Sequence, residues 1–149
     1  MLLPTLRKLF QRDLDKLGYE VKAYANEEDI WKIKSGIANS AGNLCLHLVG
    51  NLNAFIGAEI GKTGYARNRD LEFSLKDISR KQLLEMIDVT KRVVDESLEK
   101  LKEEELEKEY PIIVFTDKMS TGYFLVHLVA HLDYHLGQVN YHRRLINDK

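Results

Sequence analysis

Cysteine occurs once in the 149 residues, as Cys45. That excludes an intrachain disulfide and any zinc site built on a cysteine pair. Only two prolines are present, against many Leu, Glu, Lys and Asp, and this scarcity of breakers points to a helical chain. Neither sign of charge dominates. Lys and Arg number 22 and Asp and Glu 23, and the resulting net charge of −1 argues against the basic footprint of a nucleic-acid binder. Long apolar runs are missing too, none approaching the ~20 residues that span a bilayer, so no membrane is expected. The opening MLLPTLRKLFQRDLDKLGYE has charges every few residues, where a signal peptide needs an uninterrupted apolar stretch. The expectation is a cytoplasmic protein with one domain over residues 1–149, long enough to bury a full core.

What is present is helical periodicity. Leu6, Leu9, Phe10, Leu14, Leu17 and Val21 recur at steps of three and four, predicting an amphipathic helix from Thr5 to Ala25 that opens at Pro4 and Thr5. Residues 26–39 connect, with Trp31 as an anchor. A second helix is predicted from about Ser40 to Gly57, apolar almost all round and therefore central. Residues 61–78, GKTGYARNRDLEFSLKDI, have no helical period. Extended, they reach roughly 60 Å, enough to cross a bundle and set helices two and three parallel. Ser79 opens a third helix to Glu107 with a capping-box-like Ser-Arg-Lys-Gln. YPIIVF at 110–115 reads as a short extended segment, and Ser120 or Thr121 caps a fourth helix to about Ile146.

That last helix holds four of the five histidines, in YFLVHLVAHLDYHLGQVNYHRR at 123–144. His127, His131, His135, Gln138 and His142 share a stripe about 80° wide, flanked by leucines and valines. A second polar stripe, Asn43, His47 and Asn51, runs down the apolar second helix. Two such stripes in a small bundle most economically face each other. Histidines at i and i+4 can both reach one metal ion; 127/131 and 131/135 have this spacing, and His47 supplies a third ligand if the helices face. The competing reading is a set of hydrogen-bonded core histidines. His142, beside Arg143 and Arg144, reads as a surface residue. Cys45 lies about 200° round the helix from His47 and reads as a core thiol. Tyr123, Tyr134 and Tyr141 flank the stripe, and packing with paired hydroxyls is favoured over a pocket wall or an oligomer contact.

The pairing of NLCLHLVGNL with HLVAHLDYHLGQVNYHRRL resembles the DinB/YfiT-like superfamily of metalloenzymes. The late motif is similar to that family's histidine-x-x-x-histidine followed by glycine-glutamine, here His131, His135, Gly137 and Gln138. The stretch GNLNAFIGAEIGKTGYARNRDLEF is similar to a branch of it known as a domain of unknown function. The resemblance covers nearly the whole chain. It implies an all-α four-helix bundle in up-down-down-up order, with a long crossover between helices two and three. It also implies a divalent metal ion, zinc or nickel, held by His47, His131 and His135, with His127 left as a supporting or pocket residue. Members with an assigned activity transfer low-molecular-weight thiols or act as related isomerases.

From these residues follow two readings. One is a metal-dependent enzyme, a thiol S-transferase or hydrolase acting on a small-molecule substrate. Gln138 would orient a ligand or water, and Asn43 and Asn51 would stand at the pocket wall, hydrogen bonding from helix to helix being an equal alternative for both. Arg67 and Arg69 would either meet an anionic substrate or remain in a solvated loop. The other is a non-catalytic helical module, a homodimer whose histidines are structural or bind metal only for stability.

Overall fold

The computed structural model describes residues 1–147, and among them helices account for all regular structure apart from one isolated antiparallel bridge between Glu109 and Ser120. Five α-helices follow in order: α1 (Leu2–Ala23), α2 (Ala41–Leu52), α3 (Arg69–Ser74), α4 (Arg80–Glu99) and α5 (Thr121–Asn147). Helix α1 packs on α4 and α5, and α2 packs on the same two and on α3. Phe10, Leu14 and Leu17 of α1 and Leu48 and Leu52 of α2 meet Leu83, Val94, Leu125 and Leu132 in one core.

The helix ends show why the sequence folds this way. Ser40 accepts a hydrogen bond from the Asn43 amide at 3.1 Å, and Ser120 does the same for Tyr123 at 3.1 Å. Ser79 and Gln82 form the expected capping box, Ser79 Oγ accepting from the Gln82 amide at 3.1 Å. Helix α1 starts earlier than its pattern predicts, because the Glu103 carboxylate accepts from the Leu2 amide at 2.5 Å and the Leu3 amide at 3.2 Å. A carboxylate at a helix N-terminus also meets the positive end of the macrodipole.

Three segments differ from the expectation. The helix predicted to reach Glu107 stops at Glu99, and a 3₁₀ turn at Glu103–Glu107 takes its place. The break lets Leu106 bury against Gly122 of α5 and brings Glu103 to α1. The second helix keeps its expected reach but winds its last part, Asn53–Ala58, as a π-helix. The connection expected to lack helix contains α3, a single short element too brief to show a period; its cap is Asn68, which accepts from the Leu71 amide at 3.3 Å. Positive φ at Lys62, Gly64 and Asp77 bends the chain on either side of it.

Trp31 is the anchor the sequence suggests. It is buried, its indole N–H donates to the Ile78 carbonyl at 3.2 Å, and its ring lies on Gly42. A Cβ at position 42 would stand 2.6 Å from two ring carbons. Gly42→Ala is therefore expected to destabilise the fold by about 1–3 kcal/mol, the usual cost of overpacking. A urea-unfolding midpoint equal to that of the unaltered protein would show that the ring gives way freely.

Candidate metal centre

Helices α2 and α5 face each other along their polar stripes, as the paired patterns predict. His47 is buried in the apolar wall of α2, while His131 and His135 stand half-buried, one turn apart, on α5. The Nε2 atoms of His47 and His131 are 3.2 Å apart, and those of His131 and His135 are also 3.2 Å apart. One ligand atom from each of the three lies within 4.8 Å of the others, so the group can hold a metal ion.

The far side of each ring decides which nitrogen faces inward. His47 Nδ1 lies 3.0 Å from Glu72 Oε1, and a carboxylate oxygen only accepts, so Nδ1 carries the proton. Arg67 Nη2 also approaches that nitrogen at 3.4 Å, but both groups are then donors, and Arg67 instead satisfies itself on Glu72. His135 Nδ1 lies 2.7 Å from Gln138 Oε1. With that amide oxygen as acceptor, His135 too turns an unprotonated Nε2 inward. His131 Nδ1 is buried without a hydrogen-bond partner among the described residues.

Burial, together with the repulsion of neighbouring imidazoles, pushes His131 down to about 4. His47 is also lowered, chiefly by burial, against the opposing pull of Glu72. Burial thus disfavours the charged forms of His47 and His131, and the Nδ1 partners of His47 and His135 leave their Nε2 lone pairs facing the Nε2 of His131. Two nitrogens each about 2.0–2.1 Å from one tetrahedral ion stand about 3.3 Å apart. The observed spacings match that edge, and neutral imidazole is a donor zinc and nickel both accept. The residues fit a divalent cation.

The remaining candidates divide. His127 stands one turn before His131, its ring stacked on Phe124 at 5.8 Å and edge-on to Phe115 at 4.9 Å. Asn51 is buried with its Oδ1 unpartnered among the described residues. Asn43 is fully engaged: its amide donates to the Glu72 and Leu75 carbonyls, both at 2.9 Å, and its oxygen accepts from Ser40 and Lys76. Arg67 is bound to Glu72 at 2.8 and 2.9 Å, and Arg69 lies exposed with its guanidinium over Phe73. Cys45 is enclosed in the core, its thiol pushed up to about 12 by burial.

Two expectations are corrected. His142 is not a surface residue: it is buried, its Nδ1 accepting from the Tyr24 hydroxyl at 2.6 Å and its Nε2 donating to the Lys32 carbonyl at 2.8 Å. The neighbouring arginines suggested solvent, but position 142 falls on the side of α5 that meets α1 and the 26–39 connector. Tyr123, Tyr134 and Tyr141 are about two-thirds exposed instead of packed. Tyr134 and Tyr141 line a cleft of about 590 Å³ with Ile37, Leu44, Leu145 and Lys34. His135 and Gln138 form one edge of this cleft, so it opens directly beside the centre.

Glu72 went unseen in the sequence because it lies 25 residues from His47 in a stretch without period. Its only signals were an acid between two apolar residues, Leu71 and Phe73, and a glycine, Gly50, inside an apolar helix. A family model described as a protein of unknown function, DUF1572, matches residues 2–149. No curated protein matches the chain.

Proposed function

The chain belongs to the DUF1572 family, and from that premise and the three-histidine centre we propose that it is a metal-dependent enzyme acting on a small molecule. The observation that carries the reading is the convergence of three Nε2 atoms, two of them turned inward because the Nδ1–H on the opposite side of the ring donates to Glu72 or Gln138. Without a cation, the Nε2 lone pairs of His47 and His135 would face either a third lone pair or a single shared N–H on His131. Three donors rather than four is also the number found in catalytic zinc sites.

The wider fold is proposed to be of the DinB/YfiT type, α1, α2, α4 and α5 running up-down-down-up with residues 59–79 as the crossover. The packing of α1 and α2 each on both α4 and α5 supports this arrangement. The cation is proposed to be zinc or nickel, and no helix among the described residues is long and apolar enough to cross a membrane, which suits a cytoplasmic setting.

When bound, such a cation acidifies a water or thiol that reaches it and so supplies a nucleophile at neutral pH. The chain's own groups then have distinct tasks. His47, His131 and His135 hold the cation. Gln138 fixes the ring of His135 and, at the cleft edge, faces the incoming molecule. Tyr134, Tyr141, Ile37 and Leu145 offer an apolar bed for its body. Lys34, the one cationic ammonium in the cleft wall among the described residues, favours a substrate with an anionic group. Asn51, one turn beyond His47 on α2, offers an oxygen that is unpartnered among the described residues. The reaction is proposed to be S-transfer from a low-molecular-weight thiol to an electrophilic carbon, or hydrolysis of a carbonyl compound.

The test is a turnover screen of the metal-loaded protein, thiols against electrophiles and water against activated esters. Turnover that disappears in His131→Ala is expected. One ion bound per chain with neither thiol-dependent nor hydrolytic turnover would overturn the enzyme reading. It would favour the non-catalytic homodimeric module, for which the exposed Tyr123, Tyr134, Tyr141 and Leu145 on α5 speak.

A further inference from the structure

We propose that Glu72, locked by Arg67 and admitted by the bare backbone of Gly50, is the positioning residue that prepares His47 to hold the cation. The inference rests on the metal reading of the histidine cluster.

A carboxylate in this place is costly. Glu72 is only 5 % exposed, and taking a charge out of water costs several kcal/mol unless partners compensate. The compensation is elaborate. Arg67 donates to both oxygens, Nε to Oε2 at 2.8 Å and Nη2 to Oε1 at 2.9 Å, in the bidentate geometry that suits a carboxylate best. The guanidinium is itself steadied over the Phe55 ring, 5.6 Å from its centre. The Asn43 amide holds the backbone of α3 against α2 through the Glu72 and Leu75 carbonyls.

Gly50 completes the fit. It lies three residues beyond His47 on α2, and a Cβ there would stand 1.9 Å from Glu72 Oε2 and 2.5 Å from its Cδ. No residue with a side chain leaves the carboxylate where it is. A backbone anchor, a charged clamp and a missing side chain thus all aim one oxygen at His47 Nδ1.

An ordinary buried histidine needs none of this. His142 of the same protein is satisfied by a tyrosine hydroxyl and a backbone carbonyl. What a carboxylate adds is a fixed Nδ1–H tautomer and a more basic Nε2, the two properties a metal ligand uses. Glu72 touches neither the proposed cation nor a substrate, so its part is to orient and strengthen His47.

The experiment compares Glu72→Gln and Gly50→Ala with the unaltered protein, reading Zn(II) affinity by competition with a chromophoric chelator and the visible spectrum of the Co(II)-loaded protein. The first variant removes the charge at constant size. The second leaves the carboxylate chemically intact and displaces it. Both are expected to bind about 10- to 100-fold more weakly, as loss of an outer partner of a metal-bound histidine does, and to shift the Co(II) bands while still taking one ion per chain. Should Gly50→Ala fail to fold, Glu72→Gln decides alone. The ¹⁵N shifts of His47 in that variant without metal give a second readout, expected to show loss of the single Nδ1–H tautomer. Unchanged affinity and Co(II) bands in Glu72→Gln, with metal still lost in His131→Ala, would overturn the role of Glu72 alone. Absence of any bound ion in the unaltered protein would overturn the metal reading itself.

Discussion

Replacing His131 with alanine is expected to abolish stoichiometric metal binding, while replacing His142 leaves it unchanged. His131 is the middle member of the cluster, its Nε2 within 3.2 Å of both His47 and His135. Removing it takes away a donor and both close spacings at once. The loss of affinity is expected to exceed the about 10- to 100-fold that an outer partner is worth. His142→Ala serves as the control on the same helix. It strands the buried Tyr24 hydroxyl, and a stranded buried group costs about 1–3 kcal/mol, so stability falls but the ion stays. Metal per chain by elemental analysis, on protein purified without a histidine tag, reads the first effect, and urea unfolding reads the second. Equal metal content in the His131 variant would remove His131 from the centre.

Acid is expected to produce the second large effect. In the folded, metal-free protein His131 is pushed down to about 4 from an ordinary imidazole value of 6.5, and His47 and His142 are lowered as well. The unfolded chain therefore takes up protons that the folded one resists. Stability from these groups is fully present above pH 6.5 and drains away as pH falls toward about 4. A bound cation sharpens the contrast, because protons compete for the same Nε2 atoms. At a thousandfold excess over its dissociation constant it adds about 4 kcal/mol near neutrality, and that increment vanishes over the acid range. Urea midpoints from pH 7.5 down to 4, with and without chelator, check this. A midpoint that is flat in chelator, or a metal increment that survives to pH 4, would contradict the geometry described.

Much of the centre was legible because polar residues on apolar helices need a reason. Asn43, His47 and Asn51 break the uniform apolarity of α2, and His131 and His135 do the same on α5. Helical period then places them on facing stripes. His142 obeys the same period but was misjudged, since its charged neighbours in sequence point to other sides of the helix. Helix α3 escaped because six residues are less than two full turns. Glu72 and Gly50 escaped for a different reason: their relation is one of shape between segments 22 residues apart, and a glycine announces only that something approaches, never what. The exposure of Tyr134 and Tyr141 depends on the open cleft, which no local pattern records.

His47 and His131 are 84 residues apart in the chain, while His131 and His135 are one helical turn apart. An unfolded chain can offer the second pair through a passing turn of helix, but the first only by closing a long loop, an event that the loop-entropy relation prices at about 4–5 kcal/mol. A shared cation would thus act as a reversible cross-link in a protein whose single cysteine rules out an intrachain disulfide. It would tie the second helix to the last and oblige one bond to open before the two could part.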